Sequence, residues 1–274
     1  MTILSRKNFW IITANSLSSF VLSYLFIFYL NHLSLALTAG MFSYPITLDY
    51  ASYFFHIEPY QWTHDAVFLI FSSGFVLVFI VGVLSLLAFF HTLGDAIPVK
   101  VFFFWLIMHS SNLVFGGLML GNLLTDGIGH VFNWMYLADT AKMIISLIGL
   151  TGLLLTALYA SRLVAISSDA YFEKYNDKIS PFFITAQVIV PYLIGSPLLF
   201  MYFYPKNLFQ ERYGWIVLGF MLIIFFIRAK HTDDLIFEQD DHRSIRPMKQ
   251  LIYFTIISII LSRLIFAKGV YLAW

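Results

Sequence analysis

The sequence predicts an all-α fold, a polytopic transmembrane helix bundle of six to seven spans forming a single integral membrane domain over residues 1–274. Three observations predict it. Hydrophobic residues make up 60% of the chain and charged residues 11%, too little polar surface to wrap a soluble globule of 274 residues. The apolar residues gather into long runs, each near the ~20 residues a helix needs to cross a bilayer. The 30 Phe and 16 Tyr suit a protein that fills helix–helix gaps with rings and anchors itself at the headgroups.

In chain order the spans fall at about 9–33, 66–91, 98–122, 140–163, 181–204, 213–229 and 250–273. Arg6 and Lys7 precede the first, as in a signal peptide, but the run is too long for a signal h-region and no small-residue cleavage site follows, so a retained helix is expected. The fifth span contains Gln187, Pro191, Gly195 and Pro197, which bend a helix; broken helices line transporter sites and also occur as packing kinks. Arg263 and Lys268 interrupt the last span, and if that segment lay on the membrane the count would be six. No linker divides the chain.

Basic residues concentrate in alternate loops. With the N-terminus inside, Arg6, Lys7, Lys100, Arg162, Lys174, Lys178, Arg228, Lys230, Arg243, Arg246 and Lys249 are cytoplasmic, and only Lys206 and Arg212 lie in outer loops. The expected location is the bacterial cytoplasmic (inner) membrane, with the lipid bilayer as partner and other membrane protein subunits as further partners. A net charge of +1 argues against nucleic acid. The absence of cysteine excludes disulfides, thiol catalysis, iron–sulfur clusters and Cys-ligated zinc.

The same topology places His and carboxylates on the outer face. The first two outer loops carry Asp49, His56, Glu58, His64, Asp65, Asp126, His130 and Asp139, with no Lys or Arg among them. His56, Glu58, His64, Asp126 and His130 form the candidate metal or proton site, because these side chains bind divalent cations and relay protons. The competing reading is an ordinary interfacial loop: Asp126 and His130 share a face only if the Gly-containing turn between them is helical. No cofactor is expected beyond a divalent metal. Asp139 is expected to cap its helix and pair with Lys142.

Within the bilayer, polar residues are costly and therefore informative. His109 and Asn112 lie about one turn apart at mid-depth in the third span, beside Ser110 and Ser111, and either satisfy a neighbouring helix or serve a ligand. Gly117 and Gly121 have the spacing that lets helices approach closely. Arg263, below the surface, must snorkel or find an acceptor.

The run SSGFVLVFIVGVLSLL followed by a helix ending GNLLTDGIGHVFNWM resembles the region of site-2-type intramembrane metalloproteases where a G-P segment precedes an N-L-L-P…D-G motif. Asn122, Leu123, Leu124, Asp126 and Gly127 are the matching positions; Phe75 stands where that family has proline. The resemblance implies an aspartate completing a zinc site begun by an H-E-x-x-H helix, but the nearest stretch here, containing Asn31 and His32, lacks the glutamate and the second histidine. It therefore implies a pseudo-protease-like fold relative without the hydrolytic apparatus. The function expected first is a non-catalytic subunit or interaction partner in a cell-envelope complex. Behind it stand a small transporter or ion-conducting protein using His109 and Asn112, and a metalloenzyme using the outer-face site.

Overall fold

The computed structural model describes residues 4–92, 99–124, 127–206, 209–229, 234–237 and 243–274. Helix α1 (Arg6–Met41) opens with Ser5 accepting from the Asn8 N–H at 3.2 Å, the bond expected of an N-cap serine. Its 36 residues span about 54 Å, so it projects beyond a ~30 Å hydrocarbon core. Thr63 caps α2 (His64–His91) in the same way through the Ala66 N–H. Then come α3 (Lys100–Leu124), the short α4 (Gly129–Trp134) and α5 (Asp139–Ser167). A further rod combines α6 (Ser180–Ile184), a π turn at Thr185–Ile189 and α7 (Val190–Phe203). The π turn directly precedes Pro191, which has no N–H to give to the preceding turn. Helices α8 (Phe209–Ala229) and α9 (Lys249–Phe266) complete the bundle.

Six segments are long and apolar enough to cross a membrane: Arg6–Met41, His64–His91, Lys100–Leu124, Asp139–Ala170, Ser180–Phe203 and Lys249–Phe266; α8 contributes a shorter apolar stretch, Tyr213–Ile227. The outward faces agree, since Leu84, Leu155 and Leu264 are all more than half exposed. In water such faces would drive aggregation, and in lipid they cost nothing. The chain is an integral membrane protein.

The end of the bundle that carries the start of α1 is called proximal here, and the other end distal. Helix α9 runs alongside α1 from one to the other. The Met248 N–H donates to Asn15 Oδ1, Thr255 Oγ1 donates to the Ser18 carbonyl, and the Phe266 ring stacks on Tyr29. The helix stops at Phe266, short of the expected 273, because Gly269 takes a left-handed φ of 75° and the chain leaves as a strand. Strand β1 (Ile46–Leu48) pairs antiparallel with both β2 (Tyr53–Phe55) and β5 (Val270–Leu272), in the order β2-β1-β5. This distal sheet departs from a purely helical fold. At the proximal end β3 (Lys174–Tyr175) pairs with β4 (Leu235–Ile236).

Rings fill the centre: Phe20, Phe104, Trp105, Phe183, Phe203 and Phe225 are fully buried. Helices α3 and α5 cross with their backbones nearly touching, because a Cβ on Gly149 would stand 2.6 Å from the Phe115 carbonyl oxygen. Of the two spaced glycines in α3, Gly121 packs against Gly129 of α4, whereas Gly117 has only ordinary contacts. Below the core, Asp169 follows α5 in a 3-10 turn and takes ion pairs from Lys100 (3.0 Å) and Arg243, all three side chains being buried.

Candidate intramembrane binding cavity

A partly open cavity of ≈ 190 Å³ lies between α1, α2, α3 and the start of α8. It exists because α8 meets α3 near Gly214, whose carbonyl accepts from Asn112 Nδ2 at 2.9 Å. Asn112 is halfway along α3, so α8 covers chiefly the proximal half of the bundle. Small residues widen what remains: Gly74 of α2, Gly116 and Gly117 of α3, and Gly214 all line the space. Buried rings close it below, where Trp105 stacks near His109 (centroids 5.8 Å) and Phe20 meets both edge-on. Tyr53 of β2 and the Gly127–Ile128 turn border it distally.

Four buried polar atoms of residues that line the cavity have no protein partner: His32 Nε2, His109 Nδ1, Asn112 Oδ1 and Trp215 Nε1. Their roles follow from what the rest of each side chain does. His109 Nε2 lies 3.1 Å from the Phe20 carbonyl, which can only accept, so Nε2 carries the hydrogen and Nδ1 keeps a lone pair in the neutral ring. His32 is the reverse: Nδ1 donates to the Phe28 carbonyl at 2.9 Å and Nε2 is the bare acceptor. Asn112 has spent an N–H on Gly214, leaving Oδ1 as an acceptor, and Trp215 can only donate. Among the described residues no Asp, Glu, Lys or Arg lines the cavity.

These groups sit at two depths. Tyr24, 5.3 Å from the His109 ring and 6.0 Å from Trp215, marks the lower level. His32 is eight residues further along α1, about 12 Å at 1.5 Å per residue.

The described outer-face residues lie in separate local settings. His56 Nε2 bonds Thr47 Oγ1 at 2.7 Å and its ring meets Tyr271. The Glu58 N–H donates to Gln61 Oε1 in a 3-10 turn, His64 begins α2, and His130 of α4 lies against Phe71 (centroids 4.6 Å). Asp126 lies outside the described residues. Among the described residues no three His, Asp or Glu side chains come together as a metal group. Lys142, expected to pair with Asp139, donates instead to Asn133 Oδ1 at 2.8 Å, because α4 ends beside it.

Of the intramembrane polar residues, His109 and Asn112 belong to the cavity and Arg263 does not. Arg263 satisfies itself at the end of α7, donating to the Tyr202 and Tyr204 carbonyls and lying 3.3 Å over the Tyr50 ring. Gln187, Pro191, Gly195 and Pro197 are also absent from the lining; Gln187 bonds Ser167 and Gly195 packs on Phe20. His32 and Trp215 were not singled out by sequence as ligand groups. Their signal is periodic: Tyr24, Phe28, Asn31, His32 and Leu35 share one face of α1, and all of them line the cavity. Of the positions that resemble the intramembrane metalloproteases, Gly127 borders this space and Asn122 turns away to the Lys142 carbonyl and Ser146; Asn31 and His32, from the stretch that lacks that family's H-E-x-x-H, also border it.

The distal loop is pinned by charge. Asp49 accepts from the Ala51 and Ser52 N–H groups, the Ser52 hydroxyl and, at 2.6 Å, Lys206. Burial pushes its carboxyl up, but the Lys206 ammonium and the other donors outweigh this and hold it below the usual value; Lys206 is raised, chiefly by its hydrogen bond to Asp49. The lowered Asp49 stabilises the loop above the unfolded carboxyl range and ceases to as pH falls through its folded pKa; the raised Lys206 contributes below the unfolded lysine value and ceases to as pH rises through its own. Limited proteolysis at residues 49–52 should therefore be slowest near neutral pH and accelerate at both extremes. In Asp49→Asn the acid acceleration should disappear.

Searches against protein-family models, curated proteins and solved structures found no match.

Proposed function

We propose that this integral membrane protein binds a small solute inside the bilayer and belongs, by function, with the small transporters. The observation that supports this is that four residues lining one cavity each keep a buried, unpartnered polar atom, since a buried polar group without a hydrogen bond costs about 1–3 kcal/mol and such groups call for a functional explanation. A role purely as an envelope-complex subunit makes no use of such a cavity, which moves the transporter reading ahead of it. The basic bias of the proximal loops supports an N-terminus in the cytoplasm, and with it a cavity on the outward side, in the bacterial inner membrane of this reading.

The chain has no cysteine, so single thiols report cleanly. Leu113→Cys, in the cavity lining, should react with a membrane-impermeant methanethiosulfonate about tenfold or more faster than Leu84→Cys on the lipid face, because only a hydrated thiol ionises readily. Labelling in intact cells without permeabilisation is expected. Equal, slow rates at the two positions would overturn the proposal, and labelling only after permeabilisation would reverse the orientation.

A further inference from the structure

Resting on that reading of the cavity, we infer that the solute's path continues toward the proximal side along the seam between α1 and the broken rod of α6, the π turn and α7, and that the Phe20 ring seated on Gly195 closes it in this structure. The face of α1 that lines the cavity carries Tyr24, Ile27 and Asn31. Stepped back by three and four residues, the same face carries Phe20, Ser16, Thr13 and Phe9. It meets the rod at three levels. Phe9 lies edge-on to Phe182 (centroids 5.5 Å), the Ser16 hydroxyl donates to the Gln187 carbonyl, and a Cβ on Gly195 would stand 2.4 Å from the Phe20 ring. Thr13 lies between Phe9 and Ser16 on this face.

Below Phe20 the seam turns polar. Trp105 Nε1 donates to Ser16 Oγ at 2.8 Å, and Gln187 Nε2 donates to Ser167 Oγ at 2.6 Å. Gln187 Oε1 and Thr13 Oγ1, on residues no more than 2% exposed, have no partner among the described residues. Ser19 and Ser23 return their hydroxyls to carbonyls of α1 itself, so the unmet demand comes from Thr13 and Gln187. Dry polar groups are costly inside a bundle, and water or solute entering the seam satisfies them. The rod has the joints for such an opening: Gln187 is the middle residue of the π turn, Pro191 withholds its N–H just above, and Pro197 stands within α7. A helix broken at that level can tilt its upper half and carry Gly195 off Phe20, the rocking by which discontinuous helices expose a site to the other side. Phe20 also lies edge-on to Trp105 and His109, 4.7 Å from each, so the ring that floors the cavity is the one that caps the seam.

The test is single-thiol labelling in right-side-out and inside-out vesicles, with Leu113→Cys identifying the distal side. Thr13→Cys gives up no hydrogen bond, because Thr13 Oγ1 makes none. From the proximal side it should react with the impermeant methanethiosulfonate about tenfold or more faster than Leu84→Cys, and from the distal side no faster than Leu84→Cys. Phe20→Ala in the Thr13→Cys background removes the ring between the two halves and should add labelling from the distal side. The two-sided comparison in the parent background stands on its own if Phe20→Ala does not fold. Thr13→Cys labelling as slow as Leu84→Cys from both sides, equal labelling of Thr13→Cys from both sides in the parent, or a folded Phe20→Ala variant with an unchanged distal rate would each overturn the inference, even where Leu113→Cys labels. A Leu113→Cys thiol that never labels would instead defeat the cavity reading beneath it.

Discussion

Replacing Asp169 with Asn is expected to destabilise the protein by about 3–5 kcal/mol, the cost typical of breaking a buried ion pair from one side. The substitution keeps the shape and removes the charge. Lys100, fully buried at the start of α3, holds its ammonium 3.0 Å from Asp169 Oδ2, and Arg243 meets Oδ1 and also donates to the Asp169 carbonyl at 2.8 Å. One carboxylate thus ties α3, the end of α5 and the segment leading to α9. Without it Lys100 is a buried cation with no counter-charge among the described residues. Denaturant unfolding in detergent micelles measures the loss, and Lys100→Met added to Asp169→Asn should restore part of it, the non-additivity expected of directly interacting charges. An Asp169→Asn protein within about 0.5 kcal/mol of the parent, the range of ordinary surface substitutions, would show that the cluster contributes nothing to stability.

That cluster also marks where sequence reading ran out. The long apolar runs announced the spanning helices, because a bilayer solvent demands apolar faces on every side and the demand is written locally, residue by residue. Lys100, by contrast, read as one more cytoplasmic loop cation, since its partner lies 69 positions away and nothing local announces it. The distal sheet was invisible for the same reason: three-residue strands carry no pattern, and Ile46 pairs with Leu272 across nearly the whole chain. At the cavity the outcome was divided. His109 and Asn112 stood out as polar residues amid apolar ones. His32 did not, because α1 continues to Met41 and what read as the end of a span is part of a longer lining face. The outer-face histidines and carboxylates were legible as an inventory, but their partners, such as Thr47 for His56 and Phe71 for His130, depend on loop folding that spacing does not encode.

Asn15→Leu is expected to release the proximal half of α9 from the bundle at a cost of about 2–5 kcal/mol. Thr255 is the buried residue of α9, so this helix gains little from burial and depends on polar attachments. At its proximal end those converge on Asn15, itself fully buried, which accepts from the Met248 N–H (2.8 Å) and donates to the Arg246 carbonyl (3.0 Å) and the Tyr171 hydroxyl (3.2 Å). A leucine fills the space and leaves those groups without their partner, at about 1–3 kcal/mol for each group left dry. Distal attachments remain: Ser262 bonds Tyr202, Arg263 holds the end of α7, and β5 stays in the sheet. The expected result is therefore local opening of the proximal half. In the cysteine-free chain, Ser18→Cys with Thr255→Cys, whose parent side chain and carbonyl are hydrogen-bonded, should join efficiently through a short thiol crosslinker, and Asn15→Leu should cut the yield severalfold. An unchanged yield would mean that Asn15 does not seat the helix. Because no residue of α9 lines the cavity, Leu113→Cys labelling should be the same in both backgrounds, so a parallel change there would show that α9 and the solute site are coupled.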